Sequence, residues 1–306
     1  NIKNYGFRVP DLKKSGLFRE KVNNFSQDIL SKSMSPDIFH KTYYSNHNKS
    51  SKGKTVLTVY DMIHERFPEC FEDNGALSLI KKRDCEKADH IIAISESTKN
   101  DLMHFFNIDF DKISVIYLSS NIKKNNIIQK IHEKPYILFV GNRHEYKNFN
   151  SLLNAYANSK TINRNFDLVC FGGEKVSMIE KNIISKNKIK DKVIFISGKD
   201  SVLSDLYSNA RLLVYPSLYE GFGLPLLEAM SLSCPVVCYD NSSLKEVVGN
   251  SAAIIDTDMQ YFLESIIFDD EYLSKLKLLG IERSKLFSWK SCSDTTYNLY
   301  DKLISL

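Results

Sequence analysis

Residues 215–230 read YPSLYEGFGLPLLEAM, and this stretch decides the fold. Tyr215 closes an apolar run, Leu212–Tyr215, of strand length. Pro216, Ser217, Gly221 and Gly223 then make a turn, and a helix starts near Leu224, with Pro225 suited to its first turn. The glycines let a ligand approach the backbone closely. The helix N-terminus offers free N–H groups and a positive dipole end to an anion. Ligands of open α/β sheets bind beyond the carboxyl ends of the strands, where this turn lies. Two carboxylates, Glu220 and Glu228, bracket the turn and are good acceptors for vicinal hydroxyls. Glu228 taken alone reads equally well as a solvated helix charge; the whole segment does not.

Working outward, Val140–Asn148 (VGNRHEYKN) repeats the arrangement: a strand end, a glycine, and a helix opening near Asn148. Arg143 and Lys147 would project from this loop, and two cations beside a helix N-terminus suit a diphosphate. Taken alone, Arg and Lys in a polar loop are usually just solvated. Short β-branched runs alternate with helical segments through the rest of the chain. Strands are expected at 55–60, 90–94, 113–117, 136–140, 166–171, 193–196, 212–215 and 236–239, and helices at 96–106 (behind Ser95 as N-cap), 148–157 and 224–232. Such alternation predicts parallel sheets covered by helices. The polar segment Asn121–Lys134 breaks the rhythm and reads as a linker. The expected fold class is therefore α/β, with two Rossmann-like domains. Residues 1–130 form the first domain with its linker, 131–288 the second, and 289–306 a closing amphipathic helix. Only about three strands are evident in the first domain. Its front half is not visible in residues 1–53, so it reads as incomplete at its N-terminus.

The 43% hydrophobic and 25% charged residues are those of a globular protein. No run approaches the roughly 18–20 apolar residues that span a bilayer. The six cysteines form no CxxC pair, as expected of reduced thiols in a cytoplasmic protein. A net charge of +4 does not call for nucleic acid. Residues 1–60, however, carry an excess of +7. There Lys3, Arg8, Lys13, Lys14, Arg19 and Lys21 alternate with Tyr5, Phe7, Val9, Leu12, Leu17 and Phe18. This is either a solvated face or a peripheral contact with an anionic membrane or acceptor.

Together these segments resemble glycosyltransferase family 4, retaining enzymes of the GT-B fold in which two Rossmann-like domains face each other across a cleft. VGNRHEYKNFNSLLNAY is similar to the family's phosphate-binding loop, and YPSLYEGFGLPLLEAMSLSCPVV to its E-x7-E donor signature. VLTVYDMIHERFPE and ADHIIAISESTKNDL look like its first-domain segments, and the ending around FSWKSC like its closing helix, which in that fold returns to the first domain. The resemblance implies sugar transfer from a nucleoside diphosphate sugar, with retention at the anomeric carbon and with neither metal nor other cofactor obligatory. Arg143 and Lys147 would neutralise the diphosphate, Glu220 would hold the sugar and Glu228 the ribose. Ser217 and the Gly221–Phe222–Gly223–Leu224 turn would complete the donor site. Tyr60-Asp61 stands where many members read His-Asp, so Asp61 and the nearby His64 become candidates on the acceptor side. Ser233 stands where a glycine is common, and the usual N-terminal Gly-rich loop is absent.

The rival reading is a non-catalytic glycosyltransferase-like subunit that binds nucleotide or scaffolds a complex. Loss of Glu220 or Lys147 would favour it, and neither is lost. The YDMIHERFPE phrase and the Asn/Lys/Ile-rich composition resemble bacterial surface-polysaccharide enzymes. That implies a GDP- or UDP-linked hexose donor, a glycan or polyprenyl-linked acceptor, and work at the inner face of the cytoplasmic membrane.

Overall fold

In the computed structural model of the chain, residues 36–45, 53–143, 145–173 and 175–305 are described. The basic stretch Lys3–Lys21 and its expected membrane contact lie outside them.

The run Tyr136–Val140 is apolar at every position and buried throughout, the pattern of a strand covered on both faces. Its side chains alternate. Tyr136, Leu138 and Val140 join one cluster, with Leu226, Ala229 and Leu244. Ile137 and Phe139 join the other, with Phe149, Leu152 and Tyr156. This strand, β5, is central in a six-stranded parallel sheet of order β10-β9-β8-β5-β6-β7. It pairs with β6 (Asp167–Phe171) and β8 (Leu212–Tyr215); β7 (Val193–Ile196) lies beyond β6, and β9 (Val236–Cys238) and β10 (Ala253–Ile254) beyond β8. The order reverses between β5 and β8, so the loops after these two strands open at one switch point.

Among the described residues the first sheet has four parallel strands in sequence order: β1 (Ile38–Lys41), β2 (Lys54–Val59), β3 (His90–Ala93) and β4 (Ile113–Val115). Strand β1 corrects the expectation that residues 1–53 contribute none. Among the described residues it is an edge strand, IFHK, half-buried at all four positions, so it carries no apolar run. Residues 118–135 connect the sheets without helix or strand. The closing helix, Trp289–Ser305, lays Leu299 and Leu303 on Val56 and Ile92 of the first sheet and on Ile116 just past β4, and Tyr300 hydrogen-bonds His40 of β1. No described helix is long and apolar enough to cross a membrane.

Candidate active site

The loops after β5 and β8 meet through Lys147 and Glu220. Past Gly141, the β5 loop ends in a one-turn segment, Glu145–Lys147. Asn148 then caps the Phe149–Asn158 helix with φ 55, a left-handed conformation that Asn tolerates better than most residues. The Lys147 ammonium donates to Glu220 Oε1 at 2.6 Å and to the Tyr215 hydroxyl at 3.1 Å. The Leu218 N–H donates to the Tyr146 carbonyl at 2.8 Å, tying the two loops together. From behind, Ser242 accepts the Glu220 N–H at 3.0 Å and Ser243 donates to the Glu220 carbonyl at 2.9 Å. The Lys147 and Glu220 side chains are only 12% and 9% exposed. A cation and a carboxylate thus stand paired in a nearly dry place, where their interaction with a polar ligand is stronger than in water.

Arg143 lies in the same loop but turns inward. Its Nε donates to Glu180 Oε1 at 2.7 Å and its Nη1 to the Gly172 carbonyl at 3.1 Å, beside the rings of Phe149 and Phe195. Glu180 also closes a capping box with Ser177 at the start of the Met178–Lys186 helix. In this arrangement Arg143 braces the β5 loop against the β6 loop.

Glu228 sits one turn into the Leu224–Ser231 helix. It accepts from Tyr207 at 3.0 Å and, more loosely, from Ser120 at 3.5 Å. Burial pushes its carboxyl above the usual range, and the two hydroxyl donors partly offset this. Gly223 caps that helix with φ 100, a conformation that requires glycine there. Ser217 is fully buried, and its carbonyl accepts from Asn241 at 3.2 Å. Phe222 packs on Tyr117 and Phe287 and supports the loop from below. Leu224 is half-buried against the same core.

The first domain closes the site from the other side. A Cβ on Gly221 would lie 1.8 Å from the Tyr60 carbonyl and 2.8 Å from Asp61 Cβ, so this glycine is required by close approach. Thr98 donates to the Gly221 carbonyl at 3.4 Å. Asp61 therefore faces the Gly221 turn; its carboxylate accepts the Ile63 N–H at 3.0 Å, and its carbonyl is held by Lys81. His64 does not join this group. It stacks on Phe71, with centroids 3.7 Å apart, and lines a separate pocket of about 470 Å³ with Pro68, Leu79 and Phe105. Among the described residues no cluster of His, Cys, Asp and Glu has the make-up of a metal site.

Sequence reasoning passed over three tyrosines. Tyr215 and Tyr207 are fully buried, and their hydroxyls serve Lys147 and Glu228. Burial beside Glu220 and Glu228 respectively holds each phenol well above its ordinary pKa, so both stay protonated, Tyr215 accepting from Lys147 and Tyr207 donating to Glu228. Tyr219 binds the opposite domain. A tyrosine at a strand's carboxyl end was the available signal for Tyr215; the other two had none.

Two parallel-sheet domains meeting at such a switch-point site define the GT-B class of α/β protein. Residues 120–267 match the family described as Glycosyl transferases group 1. The chain is 30% identical over 271 residues to O-antigen chain mannosyltransferase B of Escherichia coli, spanning 82% of this chain and 71% of that one. It is 32% identical over 220 residues to O-antigen chain mannosyltransferase RfbU of Salmonella typhimurium, spanning 71% of this chain and 61% of that one. Among solved structures, sucrose-phosphate synthase from Thermosynechococcus elongatus superposes with a TM-score of 0.77 at 19% identity, over 96% of this chain and 80% of that one. The lipopolysaccharide-biosynthesis glycosyltransferase WaaG does so with 0.71 at 16% identity, over 96% and 86%. The chain belongs to the group 1 glycosyl transferases and has their GT-B fold.

Proposed function

We propose that the protein is a retaining glycosyltransferase that moves a hexose from a GDP- or UDP-linked sugar to a glycan or lipid-linked glycan acceptor in surface-polysaccharide synthesis, on the cytoplasmic side of the membrane. The observation that carries this reading is the Lys147–Glu220 contact, which joins the two loops of the switch point beside a helix N-terminus. The names of the relatives, O-antigen mannosyltransferases, favour GDP-mannose as the donor. As the bond from the anomeric carbon to the diphosphate oxygen breaks, its electron pair leaves with the diphosphate. Lys147 and the backbone N–H groups of the Gly221–Gly223 turn meet that charge without a resident metal, and Arg143, paired with Glu180, holds the loop that carries Lys147. Glu220 accepts from the sugar's hydroxyls and Glu228 from the ribose. The acceptor hydroxyl arrives from the first domain, past Asp61; its oxygen bonds the anomeric carbon on the face the diphosphate left, and its proton goes to the departing phosphate.

Thermal denaturation with a panel of GDP- and UDP-sugars tests this. One nucleotide family should raise Tm by several degrees, and anomer-resolved NMR of the product should show retention. Turnover should persist in EDTA, because side chains and dipoles supply the positive charge. Loss in EDTA, restored by Mg²⁺ or Mn²⁺, would contradict that account.

Glu228 sets a pH dependence. Ribose binding needs the ionised carboxylate as acceptor, and burial raises its pKa. Affinity for GDP or UDP should therefore be full at neutral pH and weaken as pH falls through that raised pKa. Glu228→Gln should weaken binding about 10- to 100-fold at neutral pH, the usual loss for a charged hydrogen-bonding partner, and flatten the acid limb. Without nucleotide the sign is opposite. A carboxyl with a raised folded-state pKa contributes stability that is present below its unfolded pKa and lost as pH rises through the folded one. Calorimetric titrations across the acid range separate the two, and an acid limb unchanged in Glu228→Gln would remove Glu228 from the ribose site.

A further inference from the structure

Glu220 is flanked by a residue that belongs, by its contacts, to the opposite domain. Tyr219 is buried, and its hydroxyl donates to Asp101 Oδ2 at 2.6 Å while accepting the Met62 N–H at 3.3 Å. Asp101 lies on the Glu96–Phe106 helix of the first domain and is itself gripped by Arg66, through Nε at 3.1 Å and through a second contact from Nη2 to Oδ1. The Arg66 guanidinium lies 5.0 Å over the Tyr219 ring, and Phe67 brings its ring near both Tyr219 and Tyr146. The Asp101 side chain is 4% exposed, that of Arg66 42%, so the cluster is dry at its centre and wet at one rim.

This geometry has a consequence for access. Glu220 and Lys147 are nearly buried in the closed arrangement, with Gly221 against the Tyr60 carbonyl. A ligand the size of a nucleotide sugar reaches them only when the domains separate, and separation breaks the Tyr219–Asp101 bond. Every donor-binding group named above is on the second domain, whereas the partners of Tyr219 are on the first. We propose that the Tyr219–Asp101–Arg66 cluster is a positioning latch, which aligns the Glu220 loop against the acceptor side only when the cleft is closed. The inference rests on the transferase reading for its kinetic consequence, but not for its mechanical one.

The latch predicts a split between turnover and nucleotide binding. Tyr219→Phe keeps the ring and removes the bond. Its kcat with the donor found in the panel should fall about 10- to 100-fold, the range for a buried hydrogen bond to a charged group, while the Kd for GDP or UDP stays within threefold. Asp101→Asn should fall similarly, and the double variant no further than either single, because both remove one coupled interaction. Arg66→Gln, which leaves the Tyr219–Asp101 bond in place, should show the same split more weakly. Small-angle scattering gives a readout independent of activity: without ligand, Tyr219→Phe should have a larger radius of gyration than the wild type. A kcat within twofold of wild type, or nucleotide affinity falling in step with kcat, overturns the latch. If the wild type turns over no nucleotide sugar, the transferase reading fails instead. Scattering then decides the latch alone, and an unchanged radius of gyration overturns it.

Discussion

Lys147→Ala should lower turnover about 10²–10³-fold, the usual cost of removing one preorganised group that stabilises developing charge. The expectation follows from where the ammonium is. It stands 2.6 Å from Glu220 and 3.1 Å from the Tyr215 hydroxyl, with 12% of its side chain exposed, so little water can take its place when a diphosphate departs. The substitution has a second effect that must be separated from the first. It leaves the Glu220 carboxylate buried without its cation, and breaking a buried pair from one side costs about 3–5 kcal/mol of stability. Lys147→Ala should therefore also lower Tm. The double variant Lys147→Ala with Glu220→Gln removes the stranded charge and should recover much of the lost Tm while recovering no turnover. Activity assayed well below each Tm makes the distinction. Lys147→Ala within twofold of wild type would show that this lysine only ties two loops together.

The central strands of the second sheet were legible because they are covered on both faces and therefore apolar at successive positions, as YILFV in β5 and LLVY in β8, whereas the two-residue edge strand β10 was not among the expected strands. The turn that follows β8 was legible for a different reason: its glycines and Pro225 have few structural alternatives. What escaped were features whose cause lies far away in the chain. The β1 strand is an edge, half-buried, and its IFHK sequence pairs with β2 without an apolar run to announce it. Arg143 was placed in the right loop, but its direction is fixed by Glu180, 37 residues on and in another loop, and by the aromatic walls of Phe149 and Phe195. His64 was grouped with Asp61 by adjacency alone; the short Ile63–Arg66 helix rotates it onto Phe71 instead. Tyr219 looks like an ordinary loop residue until the first domain supplies Asp101.

Gly221→Ala should be nearly as damaging as loss of Lys147, for a reason that involves no charge. The added Cβ would stand 1.8 Å from the Tyr60 carbonyl oxygen and 2.9 Å from its carbon. Both atoms are backbone, at the end of a strand buried in the first sheet, and cannot swing aside as a flexible side chain would. Relief requires the donor loop and the first domain to move apart by more than an ångström. Misplacement of about 1 Å at a reacting centre can cost on the order of 10²-fold in rate, and that is the expected fall in turnover. The backbone of Gly221 does not require glycine on conformational grounds, since its φ is outside the positive range; the penalty is purely one of closure. Nucleotide affinity in Gly221→Ala should accordingly stay within a few-fold of wild type, because Lys147, Glu220 and Glu228 all remain on the second domain. Gly223→Ala makes the contrast. Its strain comes from φ 100 at the cap of the helix that carries Glu228, so it should lower nucleotide affinity and Tm together. If Gly221→Ala instead loses nucleotide binding along with turnover, or keeps full turnover, then the closed contact between Gly221 and Tyr60 is not the arrangement in which transfer takes place.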